Sequence, residues 1–167
     1  MQMRLFLSKF LKVCCRRRDV NKYQVINSLP FFDSFQKDDI ENLSDFIYLQ
    51  SYKSGELIID ENIVNTSLFF LINGSVDIIV ENRLVSKSSS FGDIFGEMSI
   101  AGQKPSYAKL KSREDSVFLV LNFVGLGDMP EERRGHFERL VYKSFSEVLA
   151  NRLARANQKI RSLKKAA

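Results

Sequence analysis

Apolar positions change period twice along this chain. Up to Ile47 they recur at helical spacing, from Tyr48 to Asn122 they fall in short runs, and after Asn122 the helical spacing returns. In the first region Leu5, Leu7, Phe10, Leu11, Val13 and Cys14 predict an amphipathic helix. Ile40, Leu43, Phe46 and Ile47 predict another, which Ser34 or Asp38 can start. "LPFFDSF", Leu29 to Phe35, is dense in aromatics and suits the edge of a core.

In the middle region "ELIID", "SLFFLI", "SVDIIV", "RLVSK" and "SVFLVLN" read as strands. Between them stand "SYKSGE", "ENIVNT", "NGS", "ENR" and "FGDIFG", whose Gly and Asn supply the positive backbone angles of tight turns. Short strands at intervals of roughly ten residues predict a barrel or jelly-roll, not an alternating parallel sheet. If one face is covered, alternation turns Leu57, Ile59, Phe69, Leu71, Val76, Ile78 and Val80 inward.

"GLGDMP" closes this region. Pro130 suits the first turn of a helix with Asp128 or Met129 near its cap, and Glu131 and Glu132 favour the positive end of its dipole. The helix is predicted to run to about Leu163. Along it Leu149, Leu153, Ala156, Ile160 and Leu163 are spaced four, three, four, three, a seam for pairing with a second copy or for lying on the barrel. The pattern divides the chain into an N-terminal helical segment (1–28), a β unit (29–123) and a C-terminal helical region (124–167). The fold class is mainly β with flanking helices.

Composition narrows the function classes. The 167 residues fit one domain with accessory helices, and 14 phenylalanines indicate a substantial core. The formal charge of +5 sits largely at the two ends, in Arg16 to Arg18 and in the group from Arg152 to Lys165. It permits contact with nucleic acid or an anionic membrane without demanding it. Cys14 and Cys15 are adjacent, which suits neither a disulfide framework nor a zinc site. The sole histidine, His136, reads as a helix-packing or surface residue. No 18-residue apolar run exists to span a membrane, and the N-terminus lacks the continuous apolar run of a secretory signal. A cytoplasmic location is expected, with the N-terminal helix packed on the β unit or a partner, or lying on a membrane surface beside its arginines. No nucleophile elbow, P-loop or paired carboxylates beside a histidine appear, so no enzyme is expected.

Four motifs occur in order: "LPFF" from Leu29, "KSGELII" from Lys53, "LINGSVDIIV" from Leu71 and "FGDIFGEMSI" from Phe91. Together they make Leu29 to Phe123 resemble the cyclic nucleotide-binding domain family, and "LANRLARAN" resembles that family's C-terminal helix. The resemblance implies a double-stranded β-helix of the β-roll (jelly-roll) type plus a long C-terminal helix. Where the family's second turn usually has glycine stands Asn62, which tolerates the left-handed conformation.

The resemblance also implies a ligand site. Gly92 and Gly96 would shape the phosphate-binding loop, Phe95 anchor it, Glu97 accept from a ribose hydroxyl, and Met98, Ser99 and Ile100 present amides to the phosphate. The family's arginine should follow Pro105, but this chain has Ser106, in "KPSYA" with Tyr107 next. A serine offers one neutral hydrogen bond in place of a charge-assisted pair. Losing that partner costs on the order of 2–5 kcal/mol, about 30- to several-thousand-fold in affinity. Rescue by Lys104 or Lys109 is not expected, since Lys104 would have to fold back and alternation points Lys109 outward. The reading is therefore a regulatory module whose binding of cyclic AMP, cyclic GMP or another nucleotide is weakened or lost. It would act through helix packing biased by ligand or by a protein partner, with a homodimer through the C-terminal helix permitted. The alternative is a ligand-free scaffold for protein contacts or dimerisation. No recognition-helix pattern appears, so no sequence-specific DNA binding is expected.

Overall fold

The computed structural model describes residues 21–102 and 104–166, so the N-terminal amphipathic pattern, Cys14 and Cys15 lie outside the described residues. Two short helices come first, α1 (Lys22–Ile26) and α2 (Lys37–Leu43), with 3₁₀ turns at Pro30–Phe32 and Ser44–Phe46. Helix α2 begins between the two expected starts. Gln36 precedes it, and the Gln36 N–H donates to Asp39 Oδ2 at 2.9 Å. The acid in the first turn thus reaches back to the orphan donor.

Eight strands follow as two antiparallel four-stranded sheets. They are β1 (Ile47–Tyr52), β2 (Leu57–Ile59), β3 (Ser67–Asn73), β4 (Val76–Val80), β5 (Arg83–Ser88), β6 (Ile94–Phe95), β7 (Lys109–Ser112) and β8 (Ser116–Asn122). One sheet has the order β1-β8-β3-β6 and the other β2-β7-β4-β5, the arrangement of a β-roll. The five expected runs are all strands, while β1, β6 and β7 were not anticipated. A short helix α3 (Glu97–Gly102) interrupts the roll, and α4 (Glu131–Ala166), 36 residues long, closes it. Pro130 directly precedes α4, one position earlier than expected.

Parity along β3 and β8 sorts the core into two bodies. Leu68, Phe70, Ile72, Leu119 and Leu121 face the helices, with Val25, Leu29, Phe31, Leu43, Phe137, Val141 and Phe145. Phe69, Leu71, Phe118 and Val120 face the roll interior, with Ile59, Val76 and Leu110. The aromatic abundance is spent largely on the helical side. The Phe31 ring centroid lies 5.0 Å from that of Phe70, 5.1 Å from Phe32 and 5.7 Å from Phe145, all edge-on. Each side chain so buried contributes roughly 1.5–3 kcal/mol.

One expectation about packing is corrected, and of the two alternatives for the C-terminal seam the one that lays it on the roll is not seen. Leu57 is exposed while Ile59 is buried, because a bulge between them in the pairing with β7 breaks the alternation. The seam of Leu149, Leu153 and Ile160 is exposed and does not lie on the roll. The side of α4 that packs is the earlier stripe of Phe137, Val141 and Phe145. Two polar ties hold that half: His136 Nε2 lies 2.8 Å from Asp39 Oδ1, and Ser144 Oγ donates to the Phe31 carbonyl at 2.8 Å. At the opposite end of the sheets Lys53 Nζ and Asp115 Oδ2 pair at 2.8 Å. The hydrogen bond from Lys53 holds the Asp115 carboxyl below its usual range, helped by the Ser54 N–H, and the same bond raises Lys53. Burial is the main cause that raises the Tyr52 hydroxyl, whose ring meets Phe118 edge-on.

Candidate functional site

The loop between β6 and α3 is built on a glycine whose place no side chain can take without strain. Gly96 has φ +90°, and a Cβ there would stand 2.4 Å from the Ser67 carbonyl oxygen and from Asn65 Nδ2. The turn therefore presses its backbone onto β3 and delivers the next residue, Glu97, into the roll. Gly92, also with positive φ, lies behind: its N–H donates to the Leu71 carbonyl at 2.8 Å, and it does not line the site. Asn62 adopts φ +67°, the left-handed conformation anticipated for it. The strand before this turn is fastened at Asp93, which accepts from Ser88 Oγ.

Beside this loop opens a cavity of about 430 Å³, within the usual size of small-molecule sites. Its inner wall is apolar, made by Ile59, Ile78, Val80, Phe95 and Leu110. Val85, Met98 and Tyr107 line its mouth and are exposed, so Tyr107 leaves the cavity open, and Phe95 forms part of its wall beside Phe118. Seven of the eight residues singled out in the sequence meet here: Phe95, Gly96, Glu97, Met98, Ser99, Ser106 and Tyr107.

The polar wall differs from a simple anion cradle. Ser106 is buried and its Oγ lies 2.9 Å from Ser99 Oγ, so the position expected to carry a cation holds a neutral, mutually satisfied hydroxyl pair. Lys104 is exposed. Lys109, expected to point outward, borders the cavity. Its ammonium is engaged by Glu61 at 3.1 Å and by Asn82 Oδ1 at 3.3 Å. The cation that reaches the acid comes from elsewhere. Arg152, on α4, donates from its guanidinium to Glu97 Oε1 and to the Ile94 carbonyl. Glu97 is only 7% exposed, and burial of an acid demands such a partner. Sequence reasoning missed Arg152; it stands 55 positions from Glu97, inside a basic group that reads as a solvated surface.

The chain matches the family model described as cyclic nucleotide-binding domain over residues 49–131. Among curated proteins it is 25% identical over 113 residues to the cAMP-dependent protein kinase type II regulatory subunit of Drosophila melanogaster. That match takes in 66% of this chain and 30% of the relative, so the chain spans under a third of that protein's length. Among solved structures, a cyclic nucleotide-binding protein from Geobacter metallireducens aligns with TM-score 0.69 at 18% identity, covering 81% of this chain and 99% of the other. The regulatory subunit of a cAMP-independent protein kinase A from Trypanosoma brucei aligns with TM-score 0.62 at 22% identity, covering 85% and 48%. The motif order, the two-sheet roll, the glycine-built loop and these matches agree: the chain belongs to the cyclic nucleotide-binding domain family.

Proposed function

We propose that this protein is a non-enzymatic regulatory module whose roll takes a cyclic nucleotide weakly and passes occupancy to the long helix. The observation that carries the reading is the open cavity of about 430 Å³ beside Glu97 and Ser106. A roll kept only as scaffold has no need of such a space, and a buried side chain would fill it. Weak binding follows from the Ser99–Ser106 hydroxyl pair, which offers an anion no charge. The regulatory character of the Drosophila relative agrees with a non-enzymatic role. A thermal melt of the full chain tests it: millimolar cyclic AMP or cyclic GMP should raise Tm by several degrees. Ser106→Arg should then tighten binding by about 30-fold or more in calorimetry. No shift with cyclic AMP, cyclic GMP or cyclic di-GMP, and none with Ser106→Arg, would sink the reading.

One observation favours the scaffold alternative. Leu149, Leu153 and Ile160 are exposed along one helix at heptad spacing, which suits a protein partner or a second copy. Under that reading the molecular mass in solution would exceed that of one chain, and cyclic nucleotides would leave it unchanged.

A further inference from the structure

A second apolar stripe runs along α4 beside the packed one. Tyr142, Leu149, Leu153 and Ile160 are exposed, at spacings of seven, four and seven that return to one side of a helix. Ala156, also exposed, falls between the last two on the same side. Two members of the stripe directly follow residues fastened to the body. Tyr142 follows the buried Val141, and Leu153 follows Arg152, which donates to Glu97 and to the Ile94 carbonyl. Successive helical residues stand about 100° apart, so the contacts that fix the helix turn this stripe toward solvent over a length of about 27 Å.

Spacing alone suits any apolar partner, and charge selects among them. Residues 148–167 carry six basic side chains and no acidic one, whereas residues 21–147 carry 13 basic and 19 acidic, a net −6. Arg161 and Lys164 are exposed. Pairing the distal stripe with its own copy would lay two wholly basic segments along each other, and like charges repel. The complementary surface is anionic and has an apolar layer beneath its charge.

We propose that the distal half of α4 is a membrane-surface helix, which lies along an anionic bilayer with Leu149, Leu153 and Ile160 at the boundary between headgroups and acyl chains. A cluster of six Lys and Arg on an amphipathic helix is the pattern that acidic lipid headgroups attract. Among the described residues no helix is long and apolar enough to cross a membrane, so the contact lies along the surface and not through it. Residues 1–20 combine apolar positions with six basic residues and one acidic residue in the same way. One anionic surface therefore matches both ends of the chain, whereas an acidic partner helix would match one. The net-acidic unit between them would be repelled and would stand off the surface. The proposal holds whatever fills the cavity.

Sedimentation of the full chain with vesicles tests this, using phosphatidylcholine alone or in equal parts with phosphatidylserine. The protein should pellet with the mixed vesicles and not with phosphatidylcholine, and added salt should release it. Leu153→Gln combined with Ile160→Gln removes apolar contact without changing charge. That pair should weaken partitioning at least about tenfold and leave Tm unchanged, since both residues are exposed. Arg161→Gln and Lys164→Gln should each weaken it about fivefold. Equal partitioning to both vesicles, or none to either, would overturn the proposal. Mixed-vesicle binding that survives the Leu153 and Ile160 pair would also overturn it. If such binding is lost in Arg16→Gln, Arg17→Gln and Arg18→Gln combined, it belongs to the N-terminal segment, and if lost only with Arg161 and Lys164, to a nonspecific polyanion site. A vesicle-free dimer abolished by the Leu153 and Ile160 pair would overturn it too, by giving the stripe to a second copy.

Discussion

The two halves of the long helix solve different problems with the same kind of sequence. From Phe137 to Phe145 its apolar side chains are buried against the aromatic cluster, and His136 and Ser144 add polar ties to Asp39 and Phe31. From Leu149 to Ile160 the described apolar side chains are exposed, and Arg152 ties this half to the roll through Glu97 and the Ile94 carbonyl. The proximal half is held by apolar area, which no small ligand can outbid. The distal half is held by an ion pair, which a ligand with hydrogen-bond donors can. A helix rigid at one end and releasable at the other is the element a two-state switch requires.

The contrast can be broken most forcefully in the proximal half. Phe145→Ala should lower unfolding free energy by about 3–5 kcal/mol in denaturant titration, whereas Leu153→Ala should stay within about 0.5 kcal/mol. Equal losses would mean that the distal stripe is packed after all. Next in size is Gly96→Ala, which places a Cβ against the Ser67 carbonyl oxygen at positive φ. It should cost about 1–3 kcal/mol and misplace Glu97, so the distal helix should exchange faster although no helix residue has changed. Ser144→Ala should cost about 1 kcal/mol, since it strands the Phe31 carbonyl, and should leave the distal half untouched.

The smallest effect is a pH dependence away from the helix. The depressed Asp115 carboxyl contributes stability above its unfolded value near 3.8, lost as pH falls through its lower folded value. The raised Lys53 contributes below its unfolded value near 10.5, lost as pH rises through its higher folded value. Both groups are exposed, so Asp115→Asn should flatten the acid limb of stability only slightly.

Where the sequence was legible, a period or a special backbone angle carried the information. "SVDIIV" and "SVFLVLN" are short, β-branched or aromatic apolar runs bounded by turn residues, and the glycines of "FGDIFG" and Asn62 mark positions that only a few residues tolerate. The strands that escaped notice carry little pattern. Ile94–Phe95 is two residues long, "KLKS" holds one apolar residue among polar ones, and "IYLQSY" continues a helical run from Phe46. The site was legible for the same reason as the turns, because the loop from Gly92 to Ser106 is continuous in sequence. Arg152 was not. A buried acid announces that a donor is needed, but not which of several distant cations supplies it. The packed stripe of α4 was likewise obscured, because the exposed seam that follows has the more regular heptad spacing.

The central claim is that cavity occupancy governs the distal half of the helix. The most direct measurement is a distance, read by paired spin labels at Lys111→Cys on the roll and Ile160→Cys on the helix, with Cys14 and Cys15 replaced by serine, as cyclic AMP is added. The distance distribution should broaden or shift as ligand saturates, and Arg152→Gln should show the shifted distribution before any ligand is present. A distribution that stays the same in the free, saturated and Arg152→Gln proteins would contradict the account.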